Sequence, residues 1–223
     1  MSPAAPKALR EADRDLRYLL SRGYPRELGL KLTGDRWGLD APARQVLRRG
    51  AFAPEEAAAR RERLRPLAAA AGQAVGLDGH NVLITLESAL TGALLVAADD
   101  GVIRDIGQRG RRFGPGPDTE RAAGLMIDAL VRAGASQALI LLDAPLSRSG
   151  QLAARLREML AAAGLAGAAR AVAAPDRELA GFPGLVASGD SALIDAAARP
   201  LDLAGEIIRA MDPRPALTSL EAP

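Results

Sequence analysis

Cysteine is missing from all 223 residues. A disulfide framework, a thiolate zinc site such as a zinc finger, and a cysteine nucleophile are therefore excluded, and a reducing compartment suits the chain. Histidine occurs once, at His80, so acid–base or metal chemistry has to rest mainly on other groups. No apolar stretch approaches the roughly 18 to 20 residues that span a bilayer, and Met1–Pro6 is too short and polar for a signal peptide. The expectation is a soluble cytoplasmic protein without a membrane partner.

What the chain does have is unevenly placed charge. Residues 1–70 hold 15 Lys/Arg against 9 Asp/Glu, and residues 71–223 hold 14 against 18. Such an asymmetry predicts two parts with different tasks, and a basic helical appendage is a common means of holding nucleic acid. The division is placed at the Ala/Gly-rich stretch Ala68–Gly72, giving a basic helical module over 1–70 and a second domain over 71–223.

Leu9, Ala12, Leu16, Leu19 and Leu20 recur at helical spacing, ended by Gly23, and Pro25 opens a second helix. Asp40 is placed to cap a third helix, and Pro54-Glu55-Glu56 opens a fourth that Pro66 must stop or kink. Beyond residue 70 the pattern changes to short apolar runs: Ala74–Leu77, Ala93–Val96, Ala138–Leu142, Ala171-Val172 and Leu185–Ala187. Amphipathic stretches lie between them, one capped by Asp118 or Thr119 and one started by Ser147 or Ser149. Alternation of strand and helix predicts a mostly parallel sheet covered by helices on both faces.

Three of those strands end on an aspartate that opens a turn: Asp78 in Asp78-Gly79-His80-Asn81, Asp143 in Leu142-Asp143-Ala144, and Asp190 in Ser188-Gly189-Asp190-Ser191. Ligands of open parallel sheets bind beyond the carboxyl ends of the strands, so these carboxylates are expected to converge there, within about 8 Å of one another. Crowded carboxylates raise each other's pKa unless a cation neutralises them, and oxygen-only ligation suits Mg²⁺ or Mn²⁺. The matching chemistry is phosphodiester hydrolysis, with a metal-bound water as nucleophile. Asp78, Asp143 and Asp190 are the predicted catalytic metal ligands. Glu87 and Asp195 are further candidate ligands, and Asp99, Asp100 and Asp105 surround a predicted turn at Gly101. Asp143 ends the longest run, expected at the centre of the sheet.

Substrate contacts are expected from Asn81 in the first turn and from Ser147, Arg148 and Ser149, which can hold phosphate at a helix start. Arg109, Arg111 and Arg112, in a Gly/Pro-punctuated loop with Phe113, are placed to grip a phosphate backbone. Arg17, Arg22, Arg26, Arg36, Arg48 and Arg49, with Tyr18, extend that surface in the front module, while Tyr24 and Trp37 read as core residues.

Through Asp78-Gly79-His80-Asn81 and Ser188-Gly189-Asp190-Ser191 the chain resembles the PIN-like nuclease superfamily, particularly its NYN branch. Through Arg14–Leu20, Arg22–Pro25 and Asp143–Gly150 it resembles, over most of its length, the prokaryotic family called domain of unknown function 434. The resemblance implies a three-layer α/β/α sandwich with a parallel central sheet, preceded here by the small all-α module. It also implies metal-dependent cleavage of RNA, with Asp78, Asp143 and Asp190 as metal ligands and Glu87 as a helix-borne acid. RNA is the expected partner, and a homodimer is allowed. A non-catalytic RNA-binding protein is the alternative. A Mg²⁺-dependent phosphatase is a third reading, disfavoured because His80 stands where a second aspartate is usual in the haloacid-dehalogenase type.

Overall fold

The computed structural model describes residues 6–107, 114–144, 146 and 148–220. The expectations for Arg109, Arg111, Arg112 and Ser147 therefore lie outside the described residues. In chain order, the elements begin with helices α1 (Lys7–Ser21), α2 (Arg26–Arg36), α3 (Ala41–Gly50) and α4 (Pro54–Arg63), and a 3-10 turn (Leu67–Ala70). Then come β1 (Ala74–Asp78), α5 (Gly79–Leu90), β2 (Leu95–Ala97), β3 (Ile103–Asp105), α6 (Pro117–Arg132) and β4 (Gln137–Asp143). The chain continues through α7 (Ser149–Ala162), β5 (Gly167–Val172), α8 (Pro175–Ala180), β6 (Leu185–Ala187), α9 (Ser191–Ala196), β7 (Pro200–Leu201), α10 (Leu203–Ala210) and β8 (Leu217–Ser219).

Two compact units form, and neither is continuous in sequence. Met1–Glu62, Gly92–Gly107 and Ala216–Pro223 make the first; Arg63–Thr91 and Gln108–Pro215 make the second. In the first, Leu9, Ala12 and Leu16 of α1 share a core with Leu30, Val46 and Leu47, closed by Val96, Ile106 and Leu220 from the two later segments. Asp40 caps α3 by accepting the Ala43 N–H at 2.9 Å. The later segments form a three-stranded sheet, β3-β2-β8, antiparallel on one side of β2 and parallel on the other. Residues 92–107 thus leave the α/β pattern, although Leu95–Ala97 reads in sequence like any other buried strand.

The second unit is an α/β domain with a five-stranded, all-parallel sheet in the order β5-β4-β1-β6-β7. β1 is the central strand, not β4, although β4 is the longest of the five. Side chains alternate between the two faces of a strand. On one face Leu139, Leu141 and Val186 pack with Leu179, Phe182, Leu193 and Ala197 from the α8–α9 region. On the other, α5 and α7 pack against β4, and Gly79 abuts Ile140 and Leu142. α7 starts at Ser149, one of the two expected positions, while the cap of α6 differs from expectation. α6 is capped by Gly116, with Pro117 at its first position, because Pro117 lacks only an N–H that would be unpaired there. α7 is preceded by Arg148 in the left-handed region at φ 63°. Among the described residues no helix is long and apolar enough to cross a membrane.

Candidate functional site

β1 ends at Asp78 because Gly79 turns the chain straight into α5. A Cβ on Gly79 would lie 2.7 Å from both Ile140 Cγ2 and Leu142 Cδ2, so only glycine lets the first turn of α5 approach β4 this closely. The helix after β1 covers one face of the sheet and the helix after β6, its neighbour, covers the other. That is a topological switch point, where a crevice opens beyond the strand ends. Asp78 sits in it, 7% exposed. Its Oδ1 accepts the Asn81 N–H at 3.3 Å, capping α5, and its Oδ2 accepts the Ser188 hydroxyl at 2.9 Å. Ser188 Oγ in turn accepts the Asp190 N–H at 3.0 Å, and Asn81 Oδ1 accepts the Gly189 N–H at 2.6 Å. The loop after β6 is thereby fastened to the turn after β1.

Asp143 ends β4 next to this turn with its side chain 43% exposed. Unlike Asp78 and Asp190, its side chain caps no helix among the described residues. Its backbone N–H donates to His80 Nδ1 at 2.9 Å, and the same nitrogen lies 3.2 Å from Asp143 Oδ2. One ring nitrogen cannot accept from the amide and donate to the carboxylate at once. Burial pushes the His80 pKa down, against the raising influence of Asp143, so the neutral ring that accepts the amide is the form expected at neutral pH.

Asp190 Oδ1 accepts the N–H groups of Ala192 and Leu193 at 2.9 and 3.1 Å, capping α9. Asp176, in the first turn of α8, completes the edge, a position with no mark in the sequence. Its pKa is raised, first by partial burial and then by the charges of Asp190 and Asp143. Burial pushes Asp78 up to about 7, opposed by the bonds from Ser188 and Asn81 and reinforced by Asp176 and Asp143. These mutual influences tie the carboxylates at the ends of β1, β4, β5 and β6 into one negative field. Asp202, after β7, occupies an equivalent place but is neutralised locally, with Arg209 Nη1 3.3 Å from Oδ2 and the Gly205 N–H on Oδ1.

The remaining expected residues are distributed as follows. Glu87 lies in the third turn of α5, where its Oε2 accepts the Thr119 hydroxyl at 2.8 Å. Nine residues at 1.5 Å rise put it about 13 Å along the helix from Asp78, and the structure does not bring the two together. Asp195 is exposed on α9. The Ser149 hydroxyl, 4% exposed, points at the carbonyls of Asp143 and Leu146 at 2.6 and 2.7 Å. Arg148 is exposed. In the first unit, Asp99 accepts from Arg17 at 2.7 Å and Asp100 accepts from both terminal guanidinium nitrogens of Arg104 at 2.7 Å. Arg48 pairs with Glu27 and Arg36 with Asp15, while Arg26, Arg60 and Arg104 surround the Phe52 ring at 4.6 to 5.0 Å. Trp37 packs on the first core and donates to Asp15, whereas Tyr24 is 47% exposed and is not the core residue expected.

As a site for Mg²⁺ or Mn²⁺, the strand-end carboxylates have the right donor chemistry, since all are oxygen ligands. Among the described residues no three His, Asp or Glu side chains are gathered closely enough to hold one ion. The side chains as they stand offer any single ion at most two carboxylates, with water for the rest, a coordination Mg²⁺ commonly adopts.

Comparison with known proteins divides the chain at nearly the point where α4 ends. The family model described as "Domain of unknown function (DUF5616)" matches residues 67–206, and "Protein of unknown function (DUF434)" matches residues 8–63. The DUF434 resemblance is thus confined to the N-terminal region instead of covering most of the chain. Uncharacterized protein MJ0935 of Methanocaldococcus jannaschii is 29% identical over 187 residues, covering 84% of this chain and 89% of that protein. No solved structure matches the chain.

Proposed function

We propose, from the premise that this chain belongs to the DUF5616 family, that the carboxyl edge of its parallel sheet is a Mg²⁺- or Mn²⁺-dependent site that hydrolyses RNA phosphodiester bonds. The observation that carries this reading is Asp78 at the switch point, buried, with its pKa raised to about 7 and further carboxylates beside it. A strongly perturbed acid in a crevice is a mark of a functional site. A bound divalent ion supplies a water of lowered pKa and offsets charge on the phosphodiester oxygens. Asp78 would hold such an ion in its deprotonated form. Asp143, half-exposed and capping no helix among the described residues, offers its carboxylate with the least loss of protein hydrogen bonds. Asp190 keeps Oδ1 on the α9 amides and adds its charge to the site without joining the other two on one ion. Arg148, exposed and without an ion pair among the described residues, is the cation best placed in sequence to meet a phosphate.

The test is cleavage of a labelled RNA pool by wild type and by Asp78→Asn/Asp143→Asn with Mn²⁺, Mg²⁺ or EDTA. Cutting is expected only with metal, and should fall at least about 100-fold in the variant. One observation favours a second reading, a non-catalytic RNA-binding protein: both Asp78 oxygens and Asp190 Oδ1 are already satisfied by protein donors. RNA retained without cutting under every metal condition would establish that reading instead.

A further inference from the structure

The hydrogen-bond pattern of β4 gives His80 a task that the proposed chemistry above leaves unassigned. Amides of a parallel strand alternate between its two neighbours. The N–H groups of Ala138 and Ala144 donate to the carbonyls of Ala166 and Val172, on the β5 side. The Asp143 amide, of opposite parity, therefore faces β1. The register pairs Leu77 with Ile140 and Asp78 with Leu141, so its continuation sets position 80 opposite Asp143. By then β1 has ended and the chain has entered α5, and no strand carbonyl is available there. The His80 ring fills the gap: it is 4% exposed and its Nδ1 accepts the Asp143 N–H at 2.9 Å. A nitrogen that accepts this proton carries none of its own, so the nearby Oδ2 at 3.2 Å is not held by it and the carboxylate can turn outward.

We propose that His80 is the positioning residue of Asp143, its Nδ1 standing in for the strand carbonyl that β1 no longer supplies and fixing the end of β4 from which the carboxylate projects. The catalytic half of this inference rests on the reading of Asp143 given above; the structural half does not. Asparagine places an acceptor oxygen where Nδ1 stands, so His80→Asn preserves the bond and His80→Ala removes it. His80→Phe, which fills the space without an acceptor, serves the same comparison should the alanine variant not fold. In the full-length chain, amide hydrogen exchange at Asp143 should be slow in wild type and His80→Asn and at least about tenfold faster in His80→Ala or His80→Phe. Mn²⁺-dependent RNA cleavage should fall about 10- to 100-fold in the variants lacking the acceptor and recover in His80→Asn at equal thermal stability. Unchanged exchange in His80→Ala and His80→Phe would overturn the proposal, as would faster exchange with wild-type cleavage. If wild type itself cuts no RNA, the nuclease reading fails, and His80 is judged on exchange and on Mn²⁺ affinity, which must then drop in His80→Ala and return in His80→Asn.

Discussion

At the scale of single residues, burial raises the pKa of one carboxyl group far above the ordinary carboxylate range. Asp78 has a folded-state pKa of about 7, well above the value near 3.9 expected in an unfolded chain. Between those values the folded state binds more protons than the unfolded one, so its contribution to stability is complete below about pH 4 and is lost as pH rises through 7. Three pKa units correspond to about 4 kcal/mol at most. Urea unfolding at pH 5 and pH 8 should show wild type losing stability across that range, and Asp78→Asn losing distinctly less. At pH 8 the variant should be the more stable protein. Mn²⁺ should raise the melting temperature of wild type at pH 8 and leave Asp78→Asn almost unmoved, because the ion takes the proton's place only where a carboxylate remains. The same scale shows how ambiguous a strand-end aspartate is in sequence. Asp202 follows a parallel strand, β7, as Asp78 ends β1, yet it is paired with Arg209. Asp176 escaped notice because β5 before it contains Arg170 and shows only Ala171-Val172 as an apolar run.

At the scale of elements, two junctions carry the architecture. The first is the abrupt passage from β1 to α5. Gly79→Ala forces a methyl group against Ile140, Leu142 and the Leu141 carbonyl. It is expected to cost about 1 to 3 kcal/mol in denaturant unfolding, even though alanine is the better helix former. The second is the turn between β2 and β3, where Asp100 is fully buried and pairs with Arg104, itself 4% exposed, and lies 3.6 Å from Arg60. Asp100→Ala takes a buried counter-charge away from Arg104 and Arg60 beside Phe52, and a loss of about 3 to 5 kcal/mol is expected by the same measurement. Helix positions in the first unit were legible because their signals are local: Asp40 reaches an amide three residues on, and Pro66 interrupts α4 whatever surrounds it. The partner of β2 was not legible, since its three residues carry no mark of which sheet they join.

At the scale of the whole molecule, the compact units redistribute the charge that residue order suggests. The segments of the first unit hold 14 Lys/Arg and 13 Asp/Glu, so the surplus of residues 1–70 is largely cancelled when Asp99, Asp100 and Asp105 arrive from a later segment. Several arginines that look available for RNA are engaged in ion pairs or stacked on Phe52. The first unit also needs the later segments for its core, because Val96, Ile106 and Leu220 complete it. A fragment of residues 1–66 is accordingly expected to show helical circular dichroism without a cooperative thermal transition, whereas the full chain unfolds cooperatively. A sharp transition in the fragment would show that α1 to α4 suffice for a core by themselves.

Taken by itself, the sequence determined elements whose causes lie within a few residues: the helices of residues 7–63 and the amphipathic helices α6 and α7, the apolar runs of β1, β4 and β6, and the aspartates that close β1 and β4 or open α9. It also excluded thiolate chemistry, by lacking cysteine. Only the tertiary structure decided that β1 lies at the centre with β4 and β6 beside it. The same holds for the return of residues 92–107 and 216–220 to the first unit and for the pairing of His80 with the Asp143 amide. These outcomes depend on which distant segments meet. That is set by the closure of the whole chain around its two cores, and the periodicity of any one segment carries no record of it.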